Sequence, residues 1–175
     1  TGFIGDAFNG TIRDFGIESG EAVGASLGAI ATDTSYVAWT GSETKALFQR
    51  CYNKANVKAD TGGGGYPHAA GIVAKAREGT RIIDCYNMGN ITLTTKIAED
   101  VCPVAAGILG QNQGGNVENC YNVGNITVNE TRTDIKTTRR AAICGCNYLN
   151  GNESNYINCY YVSETTVNSL TFLNS

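Results

Sequence analysis

The sequence predicts an all-β protein, a right-handed parallel β-helix (β-solenoid) of about five irregular rungs with loop inserts. Three observations predict it. Two short submotifs recur in fixed order along the 175 residues. Helix formers are sparse, whereas Gly (22 residues), Asn, Thr, Ile and Val are abundant, a mixture that suits short strands joined by tight turns. The recurring unit is also too small to bury its own apolar face, so copies must stack on one another.

The first submotif is a small residue, two mostly apolar residues and a small residue. It reads Gly2-Phe3-Ile4-Gly5, Gly28-Ala29-Ile30-Ala31, Gly71-Ile72-Val73-Ala74, Gly107-Ile108-Leu109-Gly110 and Ala142-Ile143-Cys144-Gly145. The second centres on Cys-Tyr-Asn, at Cys51-Tyr52-Asn53, Cys85-Tyr86-Asn87, Cys120-Tyr121-Asn122 and, altered, Cys159-Tyr160-Tyr161. A degenerate first copy, GTIRDFGIES at 10–19, places Phe15 where the others have Cys. Successive centres lie 36, 34, 35 and 39 residues apart, and Pro67 and Pro103 each precede their repeat glycine by four.

Each copy reads as strand, turn, strand, turn, strand. In the fourth, AAGILG is the first strand, QNQGG a turn, NVENCYN the second strand, VG a corner and NITV the third strand. Stacked in parallel, equivalent residues fall about 4.8 Å apart, so five rungs span roughly 24 Å of axis. Cys51, Cys85, Cys120 and Cys159, extended by Phe15, then form one internal ladder, since a free thiol packs as a small hydrophobe. Three positions earlier runs a second apolar column, Ile12, Phe48, Ile82, Val117 and Tyr156. Residues three apart point to opposite faces of a regular strand, so a bend or bulge is expected between the two columns. Asn56, Asn90 and Asn125 open the third strand and are expected to form an asparagine ladder, amides bonding rung to rung.

The small-apolar-apolar-small core, the Gly/Asn turn and the run CYNxGNIT resemble the GLUG-type repeats of bacterial cell-surface proteins. The likeness covers residues 2–166 and rests on recurrence. It departs from the pattern at the inserts 32–46, 93–101 and 128–140. The resemblance implies a β-helical stalk or adhesin-like region of an exported bacterial protein, located outside the cell or on its surface. It carries over no catalytic residues. Residues 1–175 are read as a single solenoid domain, and the abrupt opening TGFIG suggests a segment of a longer surface protein. Its expected partners are neighbouring repeats or domains of the parent protein, and host or environmental glycans or surface proteins.

The chemistry in the sequence is sparse. A net charge of −3 offers no basic surface for nucleic acid, and no apolar run reaches the eighteen or so residues of a membrane helix. Seven cysteines leave at least one thiol unpaired in the monomer. Buried ladder thiols are the favoured reading, with one disulfide involving Cys102 and a metal site as alternatives. The close pair Cys144 and Cys146 lacks the paired spacing of a zinc site, so neither metal nor cofactor is expected. His68, the sole histidine, follows the glycine run at 62–65 and reads as a loop residue without a nucleophile partner.

The position before the ladder cysteine reads Asp14, Arg50, Asp84, Asn119 and Asn158. Alternation of charge suits structural pairing better than the two carboxylates a glycosidase sets across a bond. No enzymatic activity is therefore expected, and a polysaccharide lyase or hydrolase is the minor alternative. Carbohydrate binding without cleavage is the other, because aromatic rings stack on sugars while amides bond their hydroxyls. Its candidate residues are Tyr36, Trp39, Tyr66 and Tyr148. The tyrosine column at 52, 86, 121 and 160 reads instead as stacking within the wall. Sequons at Asn9, Asn90, Asn125, Asn129 and Asn152 read as repeat chemistry, and the basic stretch at 131–140 as a solvated loop.

Overall fold

The computed structural model describes residues 2–7, 9–34, 45–60, 67–95, 103–130, 139–147 and 154–162. Every paired strand in it runs parallel to its neighbours, and each repeat places its strands in the same set of sheets, which makes a β-solenoid. Sheet I stacks Ile4–Asp6, Ala31–Asp33, Val73–Arg77, Leu109–Gln113 and Cys144–Asn147. Sheet II stacks Leu27–Gly28, His68–Ala70, Val104–Ala106 and Arg139–Ala141. Sheet III holds Thr11–Arg13, Leu47–Gln49, Arg81–Ile83, Asn116–Glu118 and Asn155–Ile157. Sheet IV holds Gly16–Ile17, Tyr52–Asn53, Tyr86–Asn87, Tyr121–Asn122 and Tyr160–Tyr161. Sheet V holds Glu21–Gly24, Asn56–Asp60, Ile91–Thr95 and Ile126–Glu130.

A full copy therefore contributes five strand segments where the hydrophobic pattern suggested three. The stretch AAGILG bends at Gly107-Ile108 and feeds two sheets, and QNQ continues the second of these rather than turning. NVENCYN breaks at Asn119. The breaks have a local cause. Asp14, Arg50, Asp84, Asn119 and Asn158 all adopt left-handed φ between 50° and 55°, which redirects the chain between the two apolar columns. Asn and Asp tolerate that region better than other side chains. A second corner falls at Gly79 and Gly114, with φ of 81° and 96°. A closed rung needs corners, and apolar periodicity says nothing about where they fall.

The interior is two apolar clusters. One gathers Ile30, Phe48, Cys51, Ile72, Ile82, Cys85, Ile108, Leu109, Val117 and Cys120, all essentially inaccessible. The other gathers Leu27, Val57, Ala69, Ile91, Leu93, Ala105 and Ile126. Between them runs a buried amide column, Asn53, Asn87 and Asn122, in which Asn53 Nδ2 donates to Asn87 Oδ1 and Asn87 Nδ2 to Asn122 Oδ1, both at 2.8 Å. Asn87 and Asn122 lie against Gly71 and Gly107, where any Cβ would collide with the amide. The two repeated submotifs are thus one device: the glycine of the first makes room for the asparagine of the second. At the first rung Ile17 takes the amide's place and packs on both clusters.

His68 is not a loop residue. It opens a strand of sheet II, is 4 % exposed, and stands in register with Val104 of the next strand.

Candidate functional site

The outer face of sheet IV carries the most ordered surface array among the described residues. The segment after each left-handed corner is only two residues long, and its alternation turns Asn inward and Tyr outward. Tyr52, Tyr86, Tyr121 and Tyr160 therefore stand in register. The rings of Tyr52 and Tyr86 stack with centroids 5.1 Å apart and planes 7° apart, and those of Tyr86 and Tyr121 at 4.9 Å and 5°. Tyr52 in turn covers Gly16, where a Cβ would enter the ring. The faces of the lower rings are consumed by this stacking, so edges and hydroxyls face solvent. Exposure rises along the column, to 41 % at Tyr121 and 64 % at Tyr160.

Two columns flank the tyrosines. On one side lies the left-handed corner. Arg50 donates through Nε to Asp14 Oδ1 at 2.6 Å and through a terminal nitrogen to Oδ2 at 2.8 Å. Asn119 donates to Asp84 at 3.0 Å, and Asn158 to Asn119 at 3.2 Å. The hydrogen bonds from Arg50 hold the Asp14 carboxyl below its usual range. On the other side stand Glu18, Lys54, Met88, Val123 and Val162, and the backbone amides of the last four each bond to a carbonyl of the preceding rung. Glu18 accepts from the Tyr52 hydroxyl and from Lys54 at 2.8 Å, and the Lys54 ammonium also sits 5.1 Å from the Tyr52 centroid. Charge is thus paired at the lower end, and the upper end is amide, aromatic and aliphatic apart from the Asp84 carboxylate, which an amide holds.

Inside the wall the ladder cysteines are free thiols. Each donates to a backbone carbonyl of the preceding rung: Cys51 to Ile12 at 3.4 Å, Cys85 to Phe48 at 3.6 Å, Cys120 to Ile82 at 3.5 Å and Cys159 to Val117 at 3.4 Å. Phe15 continues this column and packs beneath Phe3, with ring centroids 4.7 Å apart. Hydrogen bonds with the thiols of Cys120 and Cys51, together with burial, push the Cys85 thiol far up. The same hydrogen bonds lower the Cys51 and Cys120 thiols, Cys51 to about 7, but all three are buried in the wall, out of reach of an external electrophile. Of the CxC pair, Cys144 aligns with Leu109 and packs on the core, whereas Cys146 aligns with Gln111 in the polar column and touches Arg139. Cys144 is pushed up to about 12, first by burial, and Tyr156 beside it is pushed up by burial too. No group of three or more metal-ligating side chains occurs among the described residues.

A second polar group lies on sheet I. Asp33 sits 3.5 Å from the Arg77 guanidinium and 3.9 Å from Lys75, and Arg77 also reaches Gln113. Thr34 and Thr80 share a buried hydrogen bond of 2.8 Å beneath them. Burial, then the nearby Arg77, lowers the Lys75 pKa.

Asn56, Asn90 and Asn125 form a ladder of a different kind from amide to amide. Asn56 Oδ1 accepts from the Asn90 backbone N–H at 3.1 Å, and Asn90 Oδ1 from that of Asn125 at 3.0 Å, all on the exposed face of sheet V. The amide-to-amide ladder belongs instead to Asn53, Asn87 and Asn122. The recurrent Asn after Cys-Tyr was its signal, hidden because a polar residue at a strand end reads as facing solvent. The sugar-facing candidates Tyr36, Trp39, Tyr66 and Tyr148 lie outside the described residues, as does Cys102. The Asp33, Lys75 and Arg77 group had no signal, because insert and strand supply it from different rungs.

No protein-family model, curated protein or solved structure matches this chain.

Proposed function

We propose that the chain is a right-handed solenoid of five rungs that serves as a non-enzymatic stalk or adhesin-like module of an exported bacterial surface protein, of the GLUG-repeat type. The observation that carries this reading is the investment of side chains in rung-to-rung ladders. The amides of Asn53, Asn87 and Asn122 bond along the axis, the tyrosines stack along it, and each ladder thiol bonds back to the preceding rung. Side chains committed to axial cohesion build a stiff spacer, and the corner carboxylate Asp14 is occupied by Arg50. Right-handedness follows the strong preference of parallel crossovers for that hand. The five rungs follow the recurrence of the Phe/Cys centre, and the GLUG-type reading the Gly-x-x-small and CYNxGNIT text.

The test is surface labelling. Antibody raised against this segment should decorate intact cells of the producing organism, and protease applied outside should remove the signal. Labelling only after lysis overturns the surface reading. New reducing ends or unsaturated products on incubation with plant, microbial or mucin glycans overturn the non-enzymatic one.

A further inference from the structure

The tyrosine column of sheet IV has a pitch, a polarity and a charge state that together specify a ligand. We infer that this face binds an uncharged, extended β-1,4-linked polysaccharide lying along the solenoid axis. Pitch comes first. The rings repeat every 4.9–5.1 Å, close to the advance per residue of an extended β-1,4-linked pyranoside chain. One hydroxyl therefore meets one sugar, rung after rung, without slipping out of step. An extended peptide would not stay in step, because its same-face side chains recur at about 6.7 Å.

Polarity is the second argument. Both faces of Tyr86 and one face of Tyr121 are taken by the stack, so recognition along these rungs runs through phenolic edges, each of which can both donate to and accept from sugar hydroxyls. The amides of Asn119 and Asn158 line one side of the row. The exposed side chains of Met88 and Val162 line the other and offer apolar surface to the C–H faces of the sugar. Charge is the third. Arg50 pairs with Asp14 and Lys54 with Glu18 beside the column, and Asp84 beside Tyr86 accepts from the neutral Asn119 amide, so the flanks carry one carboxylate beyond the ion pairs and offer a polyanion no basic surface. The Tyr52 hydroxyl is held by Glu18, which assigns contact to the upper part of the face, from Tyr86 through Tyr121 to Tyr160.

The inference is independent of the stalk reading, and its failure leaves that reading in place. The experiment is affinity electrophoresis through gels containing hydroxyethylcellulose or glucomannan, against gels containing the α-linked glucans starch and pullulan. Wild type is compared with the double variant Tyr86→Phe/Tyr121→Phe, which keeps both rings and the stack. Retardation is expected only in the β-1,4 gels, weakened by about fivefold or more in the double variant. Its circular dichroism and unfolding midpoint should match wild type. Absence of retardation in the β-1,4 gels overturns the proposal, as does equal retardation by α-glucans or indifference to loss of the two hydroxyls. Sedimentation showing that this face pairs two copies of the chain, in a Tyr86- and Tyr121-dependent way, also overturns it.

Discussion

At the scale of single residues, the side chains that matter most are polar ones in apolar surroundings. Asn87 accepts from Asn53, donates to Asn122 and donates to the Gly89 carbonyl at 2.8 Å, all out of reach of water. A buried hydrogen-bonding group stripped of its partner costs far more than an exposed one. Asn87→Ala should therefore lower unfolding free energy by about 2–4 kcal/mol in urea titrations, whereas Asn90→Ala on the exposed ladder should lower it by less than about 1 kcal/mol. Cys144 makes a second residue-level prediction. Its native pKa of about 12 stands above that of an unfolded thiol, about 8.5. The folded chain then holds a proton that the unfolded chain releases, so stability is full below about pH 8.5 and declines as pH rises toward 12. Unfolding at pH 10 should show a loss of about 1–2 kcal/mol from this group, and the Cys144→Ala variant should have a correspondingly flatter pH profile between 8.5 and 10.

At the scale of elements, the corners decide the shape of each rung. The left-handed corner is filled by Asp or Asn at residues 14, 84, 119 and 158 and by Arg at residue 50. Arg gains nothing locally from that conformation, whereas Asn bonds its own backbone there. Arg50→Asn should raise the melting temperature even though it removes the exposed contact with Asp14. The bend between sheets II and I makes the opposite demand. At Gly107 a Cβ would meet both the Ala142 carbonyl and the Asn122 amide, and the amide cannot withdraw without breaking the buried ladder. Gly107→Ala should cost about 3 kcal/mol or more, read as a lowered urea midpoint, whereas Gly5→Ala, with open space around the new methyl, should be nearly neutral.

At the scale of the whole molecule, stability is expected to behave as a one-dimensional sum of rungs and interfaces. The amides of Tyr86 and Tyr121 bond to Cys51 and Cys85 carbonyls in the middle of the stack, while those of Phe3 and Ile4 bond at its edge. Hydrogen exchange should therefore be slower at Tyr86 and Tyr121 than at Phe3 and Ile4 by more than about tenfold. Uniform exchange across the stack would show instead that it opens as a single unit.

The sequence by itself determined the architecture, because a solenoid turns recurrence into contact. The spacing of Cys51, Cys85 and Cys120 implies that these residues touch equivalent surroundings, and the apolar residue three places earlier implies a second inner column. Only the tertiary structure decided what happens across the interior and around the corners. That Asn87 and Asn122 lean on Gly71 and Gly107 depends on residues 15–16 positions apart meeting through a closed rung, a distance no local period encodes. That Asn56 bonds a backbone N–H while Asn53 bonds an amide depends on which side of the wall each faces. Side is set by the left-handed corner at Arg50 and its equivalents, which resets the alternation of the strands on either side. The same resetting turns the tyrosines out into a row of hydroxyls at a fixed pitch.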